Sequence, residues 1–491
     1  MAYAASLTRL LDNIADTVAD VAVRSITQDS REVVAGTLFV ALKGTQQHGL
    51  AYAELVEKQG AVAIVYEPDE TIVPPGLMIP LIEVEGLRDH LGAIADRFYQ
   101  SPSQSLNLVG ITGTDGKTSI SHFIAQALND CAVIGTIGIG TLDNLQKATH
   151  TTPDVITVHK NLAKLKQQGI ETVAMEVSSH ALDQGRVDHV DFDVVVLSNL
   201  SRDHLDYHGT LKAYADAKET LFSWSNLKAK VLNLDDAFGR RLAEKYPENV
   251  IAYGIGEASA YPEGSLLAQN AQFSSQGIQA TICYGGQQAA LNVSVLGRFN
   301  LSNLLAALGA MIGLGLSLDE AVALLNRVHI VEGRMEKVSN DDAQVLAVVD
   351  YAHTPNALET VLKALREHVA DQAQLICVFG CGGDRDAGKR PLMAQAAESN
   401  ADVVIVTDDN PRTENPQKIM QDILAGFKKP ANVAVQHDRA TAIQMALTQA
   451  QKGDVVLIAG KGHEQGQILA TGVVPFSDKE EANKVLQELA A

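Results

Sequence analysis

Short apolar runs, most of them rich in β-branched residues, recur along this chain between longer stretches whose apolar positions fall at helical spacing. In the middle of the chain the runs are Leu106–Val109, Val173–Val177, Val194–Leu197 and Val231–Leu234; later they are Val345–Val349, Leu375–Phe379, Val403–Val406 and Val455–Ala459. Runs of four or five residues, largely without polar alternation, predict strands buried on both faces. The helical stretches between them predict crossovers that join parallel strands. One such helix follows the first run, with Ile120, Phe123, Ile124, Ala127 and Leu128 along one face. The expected fold class is α/β. In open parallel sheets ligands collect beyond the carboxyl ends of the strands, so chemistry is expected in the polar residues that directly follow each run.

At 491 residues the chain is long enough for two or three domains, and 46% hydrophobic residues suffice to fill a core in each. The polar stretch Ser101-Pro102-Ser103-Gln104-Ser105 reads as a linker into the middle section, whose boundary is placed roughly fifteen residues earlier. The expected division is 1–88, a smaller N-terminal α/β domain; 89–332, a central domain with a mostly parallel sheet; and 333–491, a C-terminal Rossmann-like domain. No internal repeat or low-complexity segment is found.

Arg9 and Asp12 break up the apolar N-terminus, so no basic leader precedes a clean apolar region, and no later run is long enough to span a bilayer. The expectation is a cytoplasmic protein without membrane insertion, acting as a monomer. Four scattered cysteines, Cys131, Cys283, Cys377 and Cys381, read as small core hydrophobes in a reducing compartment. A net charge of −20 without a basic stripe argues against nucleic acid as a partner. Small anions are not excluded, because screening over about 8–10 Å lets a local cluster of Arg, Lys and backbone amides hold phosphate.

The strongest candidate for chemistry is Gly110-Ile111-Thr112-Gly113-Thr114-Asp115-Gly116-Lys117-Thr118, between the first run and the first helix. Glycines let backbone amides crowd a polyphosphate, Lys117 brings a point charge, and the Thr118 hydroxyl reaches magnesium at the positive end of the helix. Position 111 holds Ile where the usual phosphate-loop pattern has Gly; the strand and helix on either side support the reading. ATP is expected on Gly113, Thr114, Asp115, Gly116, Lys117, Thr118 and Ser119.

After the next two runs come Glu176, Ser178, Gln184 and Arg186, then Asn199, Asp203, His204, Asp206 and His208. Glu176 and His204 suit a magnesium site that bridges ATP and an acceptor carboxylate; the alternative is that they are polar loop caps. His204 and His208 lie four apart but lack the glutamate of a zinc protease motif. Asn300 and Asn303 share one helix face, where they either read an adenine edge or, for Asn300, cap the helix. In the last section Asp350-Tyr351-Ala352-His353, Gly380-Cys381-Gly382-Gly383-Asp384-Arg385, Asp408-Asp409-Asn410-Pro411-Arg412 and Gly460-Lys461-Gly462-His463-Glu464 follow four successive runs. Arg385 and Arg412 can each grip a carboxylate, and Asp409 or Glu464 can accept from an ammonium group, a set that fits a zwitterionic amino acid. Turn residues carrying solvated charges are the alternative for each taken singly.

Six strings in this order closely resemble those of the Mur ligase family: Thr112-Gly-Thr-Asp-Gly-Lys-Thr118, Met175-Glu-Val-Ser-Ser-His180, Asn199-Leu-Ser-Arg-Asp-His-Leu-Asp-Tyr-His-Gly209, Gly380-Cys-Gly-Gly-Asp-Arg385, Asp409-Asn-Pro-Arg412 and Gly460-Lys-Gly-His-Glu464. The resemblance covers essentially all three sections. It implies a three-domain α/β ligase of bacterial cell-wall synthesis, with ATP, UDP-MurNAc-L-Ala-D-Glu and meso-diaminopimelate as partners. Gln28, Ser30, Thr45, Gln46 and Gln47 would hold the uridine nucleotide, and Thr151, Thr152, Ser178, Gln184 and Arg186 the muramoyl dipeptide. Asn300, Asn303, Arg334, Asp350 and His353 would contact adenosine or phosphate. Arg385, Asp409, Asn410, Pro411, Arg412, Gly460 and Glu464 would hold the diaminopimelate. Lys218, which by itself reads as a solvated helix lysine, would be carbamylated and join Thr118, Glu176 and His204 around magnesium. Two positions depart from the family: Asp115 stands where Asn is usual, and His150 where Asn is common.

The implied reaction activates the D-glutamyl γ-carboxylate as an acyl phosphate, which the diaminopimelate amine attacks; ADP and phosphate are the expected products. No protein nucleophile is required, in keeping with the absence of a Ser-His-Asp or Cys-His arrangement. Ligand groups drawn from three sections imply domain closure. Competing readings are a lysine-adding or folylpolyglutamate-type ligase, disfavoured by Asp409-Asn-Pro-Arg412 and by the N-terminal nucleotide section respectively, and a nucleotide-gated amino-acid-binding switch.

Overall fold

The computed structural model describes residues 3–16, 20–44, 47–70, 74–148, 150–330, 333–338 and 345–490. Two compact units emerge, one of residues 1–253 with 306–316, the other of 254–305 with 317–491.

Among the described residues the first unit holds a short antiparallel pair, Ala5–Ser6 with Ala22–Val23, and two larger sheets. Four parallel strands, Ser25–Thr27, Thr37–Ala41, Ala61–Tyr66 and Leu81–Glu83, lie in chain order. One face packs Leu38, Val40, Ala63 and Val65 against the helix Leu87–Tyr99; the other packs Phe39, Ala41 and Ile64 against Val56 of the helix Ala53–Lys58. The period-two alternation of the strands explains the split.

The second sheet of this unit centres on the strand Asn107–Thr112, flanked by Thr172–Glu176 on one side and Val194–Leu197 on the other, all parallel. Cys131–Ile134 lies beyond Thr172–Glu176, and Ala229–Asn233 beyond Val194–Leu197. The chain therefore steps first to one side of Asn107–Thr112 and then to the other, which opens a crevice at its carboxyl end. Gly110 lets this strand pass Phe192, whose ring lies 3.0 Å from where a Cβ would stand. The helix Lys117–Ala127 follows with Ile120, Phe123, Ile124 and Ala127 buried, the face expected from spacing; Leu128 caps its end.

In the second unit, Leu346–Asp350, Val455–Ala459, Leu375–Phe379 and Val403–Val406 form a parallel sheet in that spatial order. Three of its strands match the apolar runs residue for residue, and Leu346–Asp350 is shifted by one. Leu346, Val348, Leu375, Cys377 and Phe379 point into one core, Ala347, Val349, Ile376 and Val378 into the other. An antiparallel meander, Leu266–Ser274, Gly277–Tyr284 and Gln287–Val293, was not among the expected elements. Its signal was Gly285-Gly286, both at positive φ between paired Tyr284 and Gln287, as a two-residue hairpin turn requires. Cys131, Cys377 and Cys381 are buried and Cys283 half-buried, all as free thiols. Among the described residues no helix is long and apolar enough to cross a membrane.

Two helices on one face of this sheet, Arg439–Gln449 and Asp478–Ala490, are joined at their first residues. Arg439 Nε and Nη2 donate to Asp478 at 2.7 and 2.8 Å, and both side chains are fully buried. Removing one partner of such a pair strands the other charge. Asp478→Ala is expected to lower unfolding free energy by about 3–5 kcal/mol in chemical denaturation; a loss typical of an exposed pair, about 1 kcal/mol or less, would contradict this assignment.

Candidate active site

The phosphate loop leaves the strand Asn107–Thr112 through Gly113 (φ +147°), where a Cβ would lie 1.9 Å from Ser198 Oγ, and enters the helix through Gly116 (φ +86°). Backbone amides of Thr114 and Asp115 donate to Asn199 O and Oδ1 at 2.9 and 3.1 Å, which ties the loop to the end of the neighbouring strand. Half-buried Lys117 folds back, its Nζ 2.8 Å from both Gly113 O and Thr114 O. Lys218 is buried (1% exposed) in the helix Leu211–Glu219, with its Nζ 2.8 Å from the same Gly113 oxygen and 4.5 Å from the Tyr214 ring centroid. Burial, reinforced by the Lys117 charge, holds the Lys218 amine well below the ordinary lysine range; burial lowers Lys117 as well.

Glu176 ends the next strand and is 1% exposed. Its Oε1 accepts from Thr136 N and its Oε2 from Thr136 Oγ1, both at 3.0 Å. Burial pushes its carboxyl up, opposed by Lys117, Thr136 and the Thr118 hydroxyl. Thr118 and Glu176 thus adjoin within the loop's reach, a hydroxyl and a carboxylate of the hard-oxygen type that magnesium takes. Among the described residues no group of three or more His, Cys, Asp or Glu can hold a metal. His204 is exposed, at φ +51°, with its ring 4.9 Å from that of His180 and 6.0 Å from Tyr214.

Beside Glu176 a second network gathers residues expected to hold the dipeptide. Thr152 Oγ1 donates to Glu176 O at 2.8 Å and accepts from Ser178 N at 3.1 Å. Thr151 and Thr136 hydroxyls meet at 3.0 Å. Arg186 donates to Thr152 O at 2.9 Å and to Gln184 Oε1 at 2.6 Å, and Gln184 donates to Tyr207 Oη at 2.9 Å. In the N-terminal sheet Gln28 follows the strand Ser25–Thr27, Ser30 opens a short 3-10 turn, and exposed Gln47 follows the adjacent strand Thr37–Ala41. Thr45 and Gln46 lie outside the described residues.

In the second unit four parallel strands deliver their polar termini to one edge, with Asp350 paired to Ala459, Val378 to Ile458 and Phe379 to Val406. Asp350 is buried and clamps the loop at Arg334, accepting from Met335 N and Ala352 N at 2.7 Å each. Arg334 lies over the Tyr351 ring at 5.5 Å, and His353 Nδ1 meets Tyr351 O at 2.8 Å. Asn300 does not cap its helix: it stands inside the first turn of Arg298–Gly313, because its side chain bonds backward to Leu296 O at 2.8 Å. Asn303 donates to Asn300 Oδ1 at 3.1 Å, so the two amides do share a face.

Arg412 (φ +53°) donates to Gly383 O at 2.9 Å, and a Cβ on Gly382 would lie 2.8 Å from its Nη1 and 3.8 Å from Arg385 Cγ. The two arginines therefore flank Gly382. Pro411 O packs on Gly383, and Asp409 Oδ2 lies 2.5 Å from where a Cβ on Gly460 would be. Asn410 Nδ2 donates to Glu464 Oε2 at 2.9 Å. Below them fully buried Arg390 grips Glu414, whose carboxyl it pulls down to about 2. Sequence reasoning passed over Thr136, Tyr214, Arg390 and Lys461. Thr136 and Tyr214 carry no signal in the linear chain; Lys461 stands in the cluster Gly460-Lys461-Gly462-His463-Glu464, where nothing shows that its side chain is buried.

Three family models match the chain: "Mur ligase family, catalytic domain" over residues 22–99, "Mur ligase middle domain" over 111–311 and "Mur ligase, glutamate ligase domain" over 333–462. A protein of Ectopseudomonas mendocina (strain ymp) called UDP-N-acetylmuramoyl-L-alanyl-D-glutamate--2,6-diaminopimelate ligase is 49% identical over 471 residues, 95% of each chain. Its namesake in Pseudomonas aeruginosa is 49% identical over 472 residues, 95% of this chain and 96% of that protein. A solved structure of a ligase of that name covers 100% of both chains at 36% identity, with a TM-score of 0.78.

Because the Lys218 amine lies below its unfolded value of 10.5, unfolding takes up a proton between the two values. Stability then rises with pH across that window and is lost as pH falls. In carbon-dioxide-free buffer, Lys218→Met should flatten the slope of unfolding free energy against pH by up to about 1.4 kcal/mol per pH unit. Guanidinium titrations at a series of pH values below 10.5 measure it; an unaltered slope would mean that the buried amine keeps its proton.

Proposed function

The chain belongs to the Mur ligase family, and from that premise we propose that it joins diaminopimelate to the D-glutamyl γ-carboxylate of UDP-MurNAc-L-Ala-D-Glu, driven by ATP. One observation carries the reading: relatives of that name align along 95% of the chain. Its two strand-end clusters supply complementary chemistry. One suits a polyphosphate beside a buried carboxylate, the other a zwitterion beside paired arginines.

A carboxylate resists attack by an amine, so it must first be activated. A γ-carboxylate oxygen attacks the γ-phosphorus of ATP, the bond to the β–γ bridging oxygen breaks, and ADP leaves. The amine nitrogen then adds to the acyl-phosphate carbonyl; the resulting tetrahedral centre expels phosphate and the nitrogen loses its proton. Lys117, released from its two loop carbonyls, supplies the charge that meets the transferring phosphoryl group. Gly113, Thr114, Asp115, Gly116 and Ser119 line the phosphates, while Thr151, Thr152, Ser178, Gln184 and Arg186 place the dipeptide. Arg334, Asp350, His353, Asn300 and Asn303 serve the nucleoside.

Thr118, Glu176, His204 and a carbamate on Lys218 would hold magnesium, which when bound neutralises phosphate charge. The Lys218 environment supports that modification: a buried amine below its ordinary pKa is neutral, attacks carbon dioxide through its lone pair and loses a proton to become an anion. Arg412 and Arg385 would grip the second carboxylate of diaminopimelate, which lysine lacks, and Asp409 and Glu464 its ammonium group. The division into domains 1–88, 89–332 and 333–491 is part of the same reading, as is a cytoplasmic monomer.

Phosphate release is expected to require ATP, the UDP-linked dipeptide and meso-diaminopimelate together, with lysine a poor replacement. A new amide product identified by mass spectrometry checks the reaction; steady phosphate release without it would favour a nucleotide-gated switch. Arg412→Ala should lower kcat/KM for diaminopimelate by about a hundredfold or more while leaving the KM for ATP little changed. Equal losses for both substrates would rule out a specificity role for Arg412.

A further inference from the structure

Lys461 directly follows Gly460, which at φ +121° turns the chain at the end of the strand Val455–Ala459, and its side chain is fully buried. A buried ammonium needs both an opposite charge and oxygen acceptors. Nζ lies 2.8 Å from Glu464 Oε2 and 3.0 Å from Asn410 Oδ1. Asn410 closes the triangle with its Nδ2 bond to Glu464 Oε2, and the backbone N–H of Ile468 donates to Asn410 Oδ1 at 2.9 Å. An ammonium and a backbone amide are donors only, so the oxygen of Asn410 must face them and its NH2 must face Glu464. Lys461 thereby decides which way Asn410 points.

We propose that Lys461 is a positioning residue for the incoming amino acid: from inside the fold it keeps Glu464 ionised to receive the ammonium group, and keeps Asn410 turned with a second amide hydrogen for a carboxylate. It does not touch the amino acid, because no part of its side chain is exposed. This rests on the ligase reading and adds to it the residue that sets the charge and orientation of that subsite. The charged groups around Glu464 are Lys461, Arg412 and, beside Gly460, Arg439 and Asp409, with Asp478 neutralising Arg439. Burial pushes the Glu464 carboxyl up, but the bonds from Lys461 and Asn410 outweigh it, and the carboxyl lies below its ordinary range.

The test uses the full chain, with Lys461→Met to remove the charge at similar length and Lys461→Arg to retain it. In steady-state phosphate release, Lys461→Met is expected to raise the KM for diaminopimelate about tenfold or more, with the KM for ATP within about twofold of wild type. Losing the cation raises the Glu464 pKa, so the acid limb of kcat/KM for diaminopimelate should move to higher pH by about one unit. Lys461→Arg should return that limb to the wild-type position. An unmoved acid limb in folded Lys461→Met, or equal losses for ATP and amino acid, would overturn the proposal.

If circular dichroism shows Lys461→Met unfolded, Asn410→Ala removes the other arm of the bridge. It should move the acid limb upward by less, and no movement there overturns the proposal equally. Wild-type protein that releases no amino-acid-dependent phosphate would sink the ligase reading and this proposal together; active wild type with an unmoved limb would sink this proposal alone.

Discussion

Two lysine ammonium groups converge on one carbonyl oxygen, that of Gly113, and the character of the phosphate loop follows from how that conflict is resolved. Like charges brought to one oxygen repel, the more so where burial lowers the effective dielectric. Lys117 is half-buried and has Glu176, Asp115 and Asp203 around it; Lys218 is sealed inside the helix Leu211–Glu219 against Tyr214. The less solvated amine gives up its proton first. A loop shaped by Gly113 and Gly116 therefore carries two unlike lysines: half-buried Lys117, held by two of the loop's own carbonyls, and buried Lys218, whose amine lies well below the ordinary lysine range.

The same logic reconciles an acidic protein with anionic and zwitterionic substrates. A net charge of −20 describes the whole chain, whereas binding depends on what lies under the strand ends. There the cations are buried and fixed: Arg390 against Glu414 and Asp422, Arg439 against Asp478, Lys461 against Glu464. Each is matched by acid, so the local charge is nearly balanced. What the pairs supply is geometry, since a buried guanidinium or ammonium tolerates little displacement of its partners. They set the backbone from Gly380 to Arg412 and from Gly460 to Ile468, on which the exposed Arg385 and half-buried Arg412 are carried.

Apolar runs of four or five residues determined, by themselves, the α/β class and the positions of most central and C-terminal strands, because a strand covered on both faces has no alternative to being apolar throughout. The antiparallel meander escaped because one face of its strands is exposed and its composition is mixed; only Gly285-Gly286 marked it. Short motifs also marked the phosphate loop and the residues after each strand, since close backbone approach demands glycine and charge recognition demands Arg, Asp or Glu at the strand ends.

What only the tertiary structure decided was the state of those groups. Lys218 reads as a solvated helix lysine until Tyr214 and the Gly113 carbonyl enclose it. Asn300 reads equally as a helix cap or as a reader of an adenine edge until its amide is found bonded to Leu296 O, which rules out the cap. Lys461 reads as one more polar residue of a strand-end cluster until Asn410, fifty-one positions earlier, supplies its acceptor. Identity and spacing belong to the linear chain. Burial, protonation and orientation belong to neighbours brought together from distant positions, because desolvation and hydrogen bonding act only across the short distances that folding creates.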